Sequence, residues 1–217
     1  SSVLVDNRFA YPLPDTLPSE AAAVLMCAGV AVYSPLQSYA IRPSQKIGII
    51  GVGGLGHLAI QFARALDYEV TAISSSPEKK KQSLAFGANH FMISNDQTSL
   101  QQAADNFDLL LCTASDNINW EVLLNTLKRN GSMILVGFPD VAFNSTDLVA
   151  HQLSITGSFL GNRATMQKML SFVQTNNIKP KVELMPMTKV NEALRKVKEG
   201  KARYRIVLFN DSIDTEV

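Results

Sequence analysis

Apolar positions along the chain fall into short unbroken runs, separated by stretches in which they recur every three or four residues. Residues 46–50 (KIGII) form such a run between turn signals, the pattern of a buried strand. Leu55, Leu58, Ala59, Phe62 and Leu66 follow at helical spacing. The alternation then repeats. Strands are expected at residues 69–73, 90–93, 108–113, 132–137 and 154–158. Helices are expected from Pro77 to Gly87 and over residues 120–127, the second stopped by Asn130-Gly131. Ser76 caps the first of these, and Pro77 takes its opening position, where a missing N–H costs nothing. Strands separated by helical stretches predict a six-stranded parallel sheet covered on both faces, an α/β fold of the doubly wound type.

The two ends of the chain read differently. Residues 1–5 look like a strand, and Pro12, Pro14 and Pro18 then forbid a long helix. Ser19-Glu20 opens an apolar helix that should run to about Ala31. Toward the C-terminus, Met166, Met169, Leu170 and Val173 mark an amphipathic helix ended by Asn176-Asn177. Thr188 caps another, with Val190, Ala193, Leu194 and Val197 on one face and Gly200 closing it; residues 204–209 are a last strand. This tail carries too little apolar surface for a core of its own. A domain seldom starts in mid-sheet, so the chain is expected to be part of a longer protein.

Composition narrows the function classes. Of the 217 residues, 46% are hydrophobic and 18% charged, enough to bury an ordinary core. The formal net charge of +1 argues against nucleic acid or a membrane surface as partner, because nothing concentrates a polyanion. Cys27 and Cys112 are the only cysteines, which fits a reducing compartment better than a disulfide scaffold. No apolar run looks long enough to span a bilayer, and residues 1–20 lack the pattern of a secretory leader; a cytoplasmic location is the expectation.

The densest chemical signal is Gly51-Val52-Gly53-Gly54-Leu55-Gly56, placed between an expected strand and an expected helix. Gly51 permits a tight turn, Gly53 lets a pyrophosphate approach the backbone, and Gly56 lets helix and strand pack closely; the helix N-terminus favours the anion. The alternatives are a glycine-rich turn that holds nothing, or a methyltransferase of the same fold, whose acidic residue after the second strand is missing. That position also selects the nucleotide. An NAD site usually places Asp or Glu roughly 20 residues past the loop to hold the ribose hydroxyls. Here the strand ends in Ser74, Ser75 and Ser76, followed by Lys79, Lys80 and Lys81. Serine hydroxyls donate to a 2′-phosphate that a carboxylate would repel, so the expected ligand is NADP(H). Otherwise the serines only cap a helix and the lysines form a solvated face.

Several segments together resemble the zinc-dependent medium-chain alcohol dehydrogenases, nearest the cinnamyl-alcohol-dehydrogenase branch. They are residues 26–36 (MCAGVAVYSPL), the loop with its continuation Gly56-His57-Leu58, and the serine run with Pro77 and Lys79. Residues 157–161 (GSFLG) and the tail 201–207 (KARYRIV) complete the match, which covers nearly the whole chain. The resemblance implies hydride transfer between NADP(H) and an aldehyde or primary alcohol, with zinc polarising the oxygen. It implies that Cys27 is a zinc ligand; taken alone, Cys27 reads as a small apolar residue. It puts Leu55 behind the nicotinamide ring, Val136, Ser158, Phe159 and Leu160 beside the carboxamide, and Thr113 near the nicotinamide ribose; all could equally be sheet-end residues. Residues 1–28 then correspond to a remnant of a GroES-like catalytic domain and the linking helix, 29–162 to a Rossmann domain, and 163–217 to the return into the catalytic domain. The other zinc ligands of such enzymes lie in a segment this sequence does not contain, and His57, His90 and His151 show no ligand spacing with Cys27. The expectation is a chain that binds NADP(H), holds no zinc, has no catalytic residue of its own and reduces no aldehyde. A homodimer through edge strands of the sheet, at residues 155–159, is implied as well. A stand-alone NADP(H)-binding module and a zinc-free medium-chain reductase remain the competing readings.

Overall fold

Strands of buried, branched residues line up side by side in this chain because neither face of them tolerates water. The computed structural model describes residues 4–39, 44–115 and 118–210. It separates into a sheet unit, residues 31–160, and a terminal unit, residues 1–30 with 161–217. In the sheet unit, β1 (Lys46–Ile50), β2 (Glu69–Ser74), β3 (His90–Ile93), β4 (Phe107–Cys112), β5 (Leu127–Leu135) and β6 (Ser154–Gly157) form one sheet. The order is β3-β2-β1-β4-β5-β6 and every neighbouring pair is parallel, as expected. Ile47, Ile49, Val70, Leu110 and Leu111 are completely buried, the mark of a sheet covered on both faces.

The first helical run, Ser19–Ser38, consists of α1 (Ser19–Val24), a π-helical turn (Leu25–Gly29) and α2 (Val30–Ser38). It does not stop near Ala31. Pro35 sits inside α2, and burial of Val32, Tyr33 and Leu36 outweighs the local cost of a proline in a helix, about 3 kcal/mol. By length and composition this run could cross a membrane, contrary to the expectation that none could; 67% of its most apolar window is buried within the protein. The sheet is connected by α3 (Gly56–Ala65), α4 (Lys80–Ala85), α5 (Gln97–Gln102), α6 (Trp120–Leu124) and α7 (Ser145–His151).

Two of these connections differ from expectation. Helix α6 ends at Leu124 rather than Leu127, because Leu127 is buried as the first residue of β5, opposite Phe107. The register then shifts, and Leu109 pairs with Ser132. Helices α5 and α7 were not expected at all. Their caps supply the start signal: Asp96 accepts from the Ser99 N–H at 3.2 Å and Asn144 from the Thr146 N–H at 3.0 Å.

In the terminal unit, α8 (Arg163–Asn176) buries Met166, Met169, Leu170 and Val173, as its spacing predicts. An unexpected strand, β7 (Val182–Pro186), pairs in parallel with β8 (Arg205–Phe209). Between them lies α9 (Val190–Lys198); Thr188 belongs to the 3-10 turn Met187–Lys189 that precedes it and is not its cap. Near the N-terminus, Leu4 and Val5 are not in a strand, and residues 1–3 of that expected strand lie outside the described residues. Instead, the Arg163 guanidinium donates to the carbonyls of Asn7, Arg8 and Ala10 at 3.2, 2.7 and 3.1 Å and lies over the Tyr11 ring.

Candidate functional site

A cavity of about 430 Å³ opens at the carboxyl ends of β1 to β4. This is the switch point of the sheet, where successive connections leave in opposite directions and a crevice forms without any special residue. Of the residues expected to bind a dinucleotide, Gly51, Gly53, Ser74, Ser75, Lys79 and Thr113 line it.

The loop leaving β1 is built around close backbone approach. Gly51 has φ +88°, a conformation that favours glycine, and its N–H donates to the Ile73 carbonyl at 2.9 Å. A Cβ on Gly56 would sit 1.9 Å from the Gly51 carbonyl oxygen, so only glycine can start α3 here. A Cβ on Gly53 would meet nothing within 4 Å, so the loop is open on this side. The Thr113 hydroxyl, at the end of β4, lies 2.8 Å from the Gly51 carbonyl and 3.1 Å from that of Ile50. Its proton goes to the loop itself, a role sequence reasoning did not assign.

The opposite wall comes from the end of β2. Ser74 is buried and its hydroxyl accepts from the Ser76 N–H at 3.2 Å, which leaves its own proton available to a ligand. Ser76 itself caps the turn Pro77–Lys79 by position, without a side-chain bond, and does not line the cavity. The buried Ser83 hydroxyl donates to the Lys79 carbonyl at 2.9 Å and fixes the backbone that carries that lysine. Among the described residues, no acidic side chain lines the cavity. Ser94, Asn95 and Asn119, which sequence reasoning missed, do line it. Their only signal is position, polar residues just after a strand or just before a helix.

The remaining expected residues lie elsewhere. Gly56 begins α3, with Leu55 at its N-cap position and Gly54 just before it. Val136 is buried beyond β5, and Ser158 donates its N–H to the Leu135 carbonyl at 2.8 Å. Phe159 and Leu160 are exposed. None of these lines the cavity. Burial pushes the Cys112 thiol up to about 11, so this residue is part of the core.

Cys27 stands on the π-helical turn of the terminal unit and is exposed. A single turn of this kind, one residue wider than an α-helical turn, often marks a functional position. Burial lowers the pKa of the Arg205 guanidinium, and the electrostatic influence of Cys27 acts in the opposite direction. Among the described residues no group of three His, Cys, Asp or Glu side chains is placed to hold a metal. A catalytic zinc takes three protein ligands, so the described residues do not fit a zinc by themselves.

The geometry invites comparison with known proteins. The chain is 38% identical over 208 residues to a probable formaldehyde dehydrogenase of Bacillus subtilis, covering 95% of this chain and 60% of that protein. It is 34% identical to NADP-dependent alcohol dehydrogenase C 1 of Mycolicibacterium smegmatis, covering 98% of this chain and 61% of the relative. Among solved structures, a cinnamyl alcohol dehydrogenase of Sorghum bicolor superposes with a TM-score of 0.87 at 36% identity, over 90% of this chain and 57% of that one. The chain thus spans about three-fifths of the length of the relatives it matches. The family model described as zinc-binding dehydrogenase matches residues 54–175, more than half of the sequence and most of the parallel sheet. The chain belongs to the zinc-binding dehydrogenase family.

Proposed function

We propose that the chain is the NADP(H)-binding portion of a zinc-dependent oxidoreductase that interconverts aldehydes and primary alcohols. The observation that carries this reading is the cavity wall of Ser74, Ser75 and Lys79 beside the glycine loop, with no carboxylate among the described lining residues. A 2′-phosphate finds hydroxyl donors and a cation there. The ribose diol of NAD lacks the acidic acceptor it ordinarily uses. Gly51 to Gly56 hold the pyrophosphate against the N-terminus of α3, and Ser76 closes the 2′-phosphate end. Leu55, Thr113, Val136, Ser158, Phe159 and Leu160 belong to the nicotinamide end. NADPH supplies a hydride, which with a proton converts the aldehyde to the alcohol.

In the longer parent, Cys27 serves as one zinc ligand. The chain by itself binds NADP(H) and is inactive, a reading supported by the lack of a second and third ligand around Cys27 among the described residues. A homodimer through β6 is part of the same proposal. That strand is the last in the sheet order, and exposed Val149 and Phe159 flank it in sequence.

Titrating the chain with NADPH and NADH tests the reading: NADPH binds more tightly, and equal or tighter NADH binding overturns it. Near-stoichiometric zinc by elemental analysis, or aldehyde-dependent NADPH oxidation by this chain, overturns the inactivity.

A further inference from the structure

We propose that His57 is a positioning residue that holds the phosphate loop in its ligand-receiving shape; this rests on the NADP(H) reading above. His57 occupies the second position of α3 and is completely buried. Its ring folds back four residues, with Nδ1 3.1 Å from the Gly53 carbonyl oxygen, and its backbone N–H reaches the same oxygen at 3.1 Å. A carbonyl only accepts, so Nδ1 carries the proton and the ring is a donor to the loop. Phe86 holds the ring from the side, with centroids 5.5 Å apart.

Two donors on one carbonyl fix the plane of the Gly53–Gly54 peptide. Because that unit is planar and trans, the direction of the Gly54 N–H is fixed with it. Glycines lose the most conformational freedom on ordering, and the loop contains four of them. Thr113 holds the Gly51 carbonyl from the β4 side, and His57 holds the Gly53 carbonyl from the α3 side. The two side chains order the loop before a ligand arrives, so binding loses less entropy. The benefit falls on the pyrophosphate and not on the adenosine 2′-phosphate end at Ser74 and Ser75.

The test compares two probes on the full 217-residue chain. NADPH carries a pyrophosphate; adenosine 2′-monophosphate does not. His57→Leu should weaken NADPH by about threefold to tenfold, the range for one buried hydrogen bond, and leave adenosine 2′-monophosphate unchanged. His57→Asn, which returns an N–H near the Nδ1 position, should restore NADPH binding. His57→Gln, whose amide sits one bond further out, should behave like His57→Leu, and it stands in for that variant if the leucine prevents folding. The proposal is overturned if His57→Leu or His57→Gln binds NADPH like the unchanged chain. It is equally overturned if His57→Asn fails to restore binding, or if both probes weaken together. Failure of the unchanged chain to bind NADPH refutes the NADP(H) reading instead.

Discussion

The two units of this chain use the same residue types with different completeness. In the sheet unit, every apolar residue of β1 and β4 is buried, and Phe62 and Phe107 are fully enclosed. In the terminal unit, α8 is as well buried on one face, yet α9 leaves Leu194 and Val197 each 56% exposed, and Leu184 of β7 is 54% exposed. A two-stranded parallel pair such as β7–β8 is seldom stable alone. The amphipathic pattern of α9 is therefore complete in sequence and incomplete in burial. Periodicity states which face is apolar, and only the rest of the fold states whether that face is covered.

Substitutions make that difference measurable. Phe107→Ala should cost about 3–5 kcal/mol, read from urea unfolding, because a closed core keeps most of the cavity it creates. Leu194→Ala, on the apolar side of α9, should lie within about 0.5 kcal/mol, the usual range for surface positions. Comparable costs for the two would break the contrast.

The glycine loop sharpens it further, by separating stability from binding inside one unit. Gly56→Ala drives a methyl group into the Gly51 carbonyl, a backbone atom that cannot move aside. It should cost about 3 kcal/mol and remove NADPH binding with it. Gly53→Ala meets empty space and should melt like the unchanged chain. On the proposed reading it still binds NADPH about tenfold more weakly, a loss of about 1.4 kcal/mol, since its methyl occupies the room a pyrophosphate needs. A loss of stability at Gly53 equal to that at Gly56 would count against this division.

These contrasts mark what the sequence could and could not convey. The sheet was legible because its strands are nearly pure apolar runs, as in 46–50 and 108–112, with the glycine loop between the first strand and its helix. Helix α5 (QTSLQQ) was not, since Leu100 is its only strongly apolar residue and no period can be read from one position. Strand β7 (VELMP) was missed for a related reason: a half-covered, parallel strand ending in proline shows neither alternation nor an apolar run. Leu127 fits a helical face and a strand equally, and pairing with Phe107 decided between them. In the site, the glycines and serines announce themselves by spacing. Ser94 and Asn95 line the same cavity only because β3 pairs with β2, which no local pattern encodes.

Each unit also carries a part-buried carboxylate held below its usual pKa, and their pH dependence is the mildest way to compare them. Asp108 lies between opposing influences. Burial raises its pKa; the Lys128 ammonium at 2.9 Å, the Lys46 N–H at 2.8 Å and the Gln45 amide at 3.1 Å lower it and prevail. Glu183 in the terminal unit is similar: burial raises it, and Lys196 with the Arg203 N–H brings it below the usual range. A carboxyl held low in the folded state stabilises the protein above its unfolded pKa, and that contribution is lost as pH falls through the folded value. Asp108→Asn should therefore cost about 1–2 kcal/mol at about pH 7, as expected for charge-assisted hydrogen bonds. The cost should shrink as the solution is acidified below the carboxylate range. Glu183→Gln should cost less than about 1 kcal/mol, because the Glu183 side chain is more exposed than that of Asp108 (24% against 14%) and an exposed ion pair contributes little. Unfolding curves for the three proteins should converge toward acid pH. An Asp108→Asn penalty that stays constant on acidification would mean that the residue acts through packing and not through its charge.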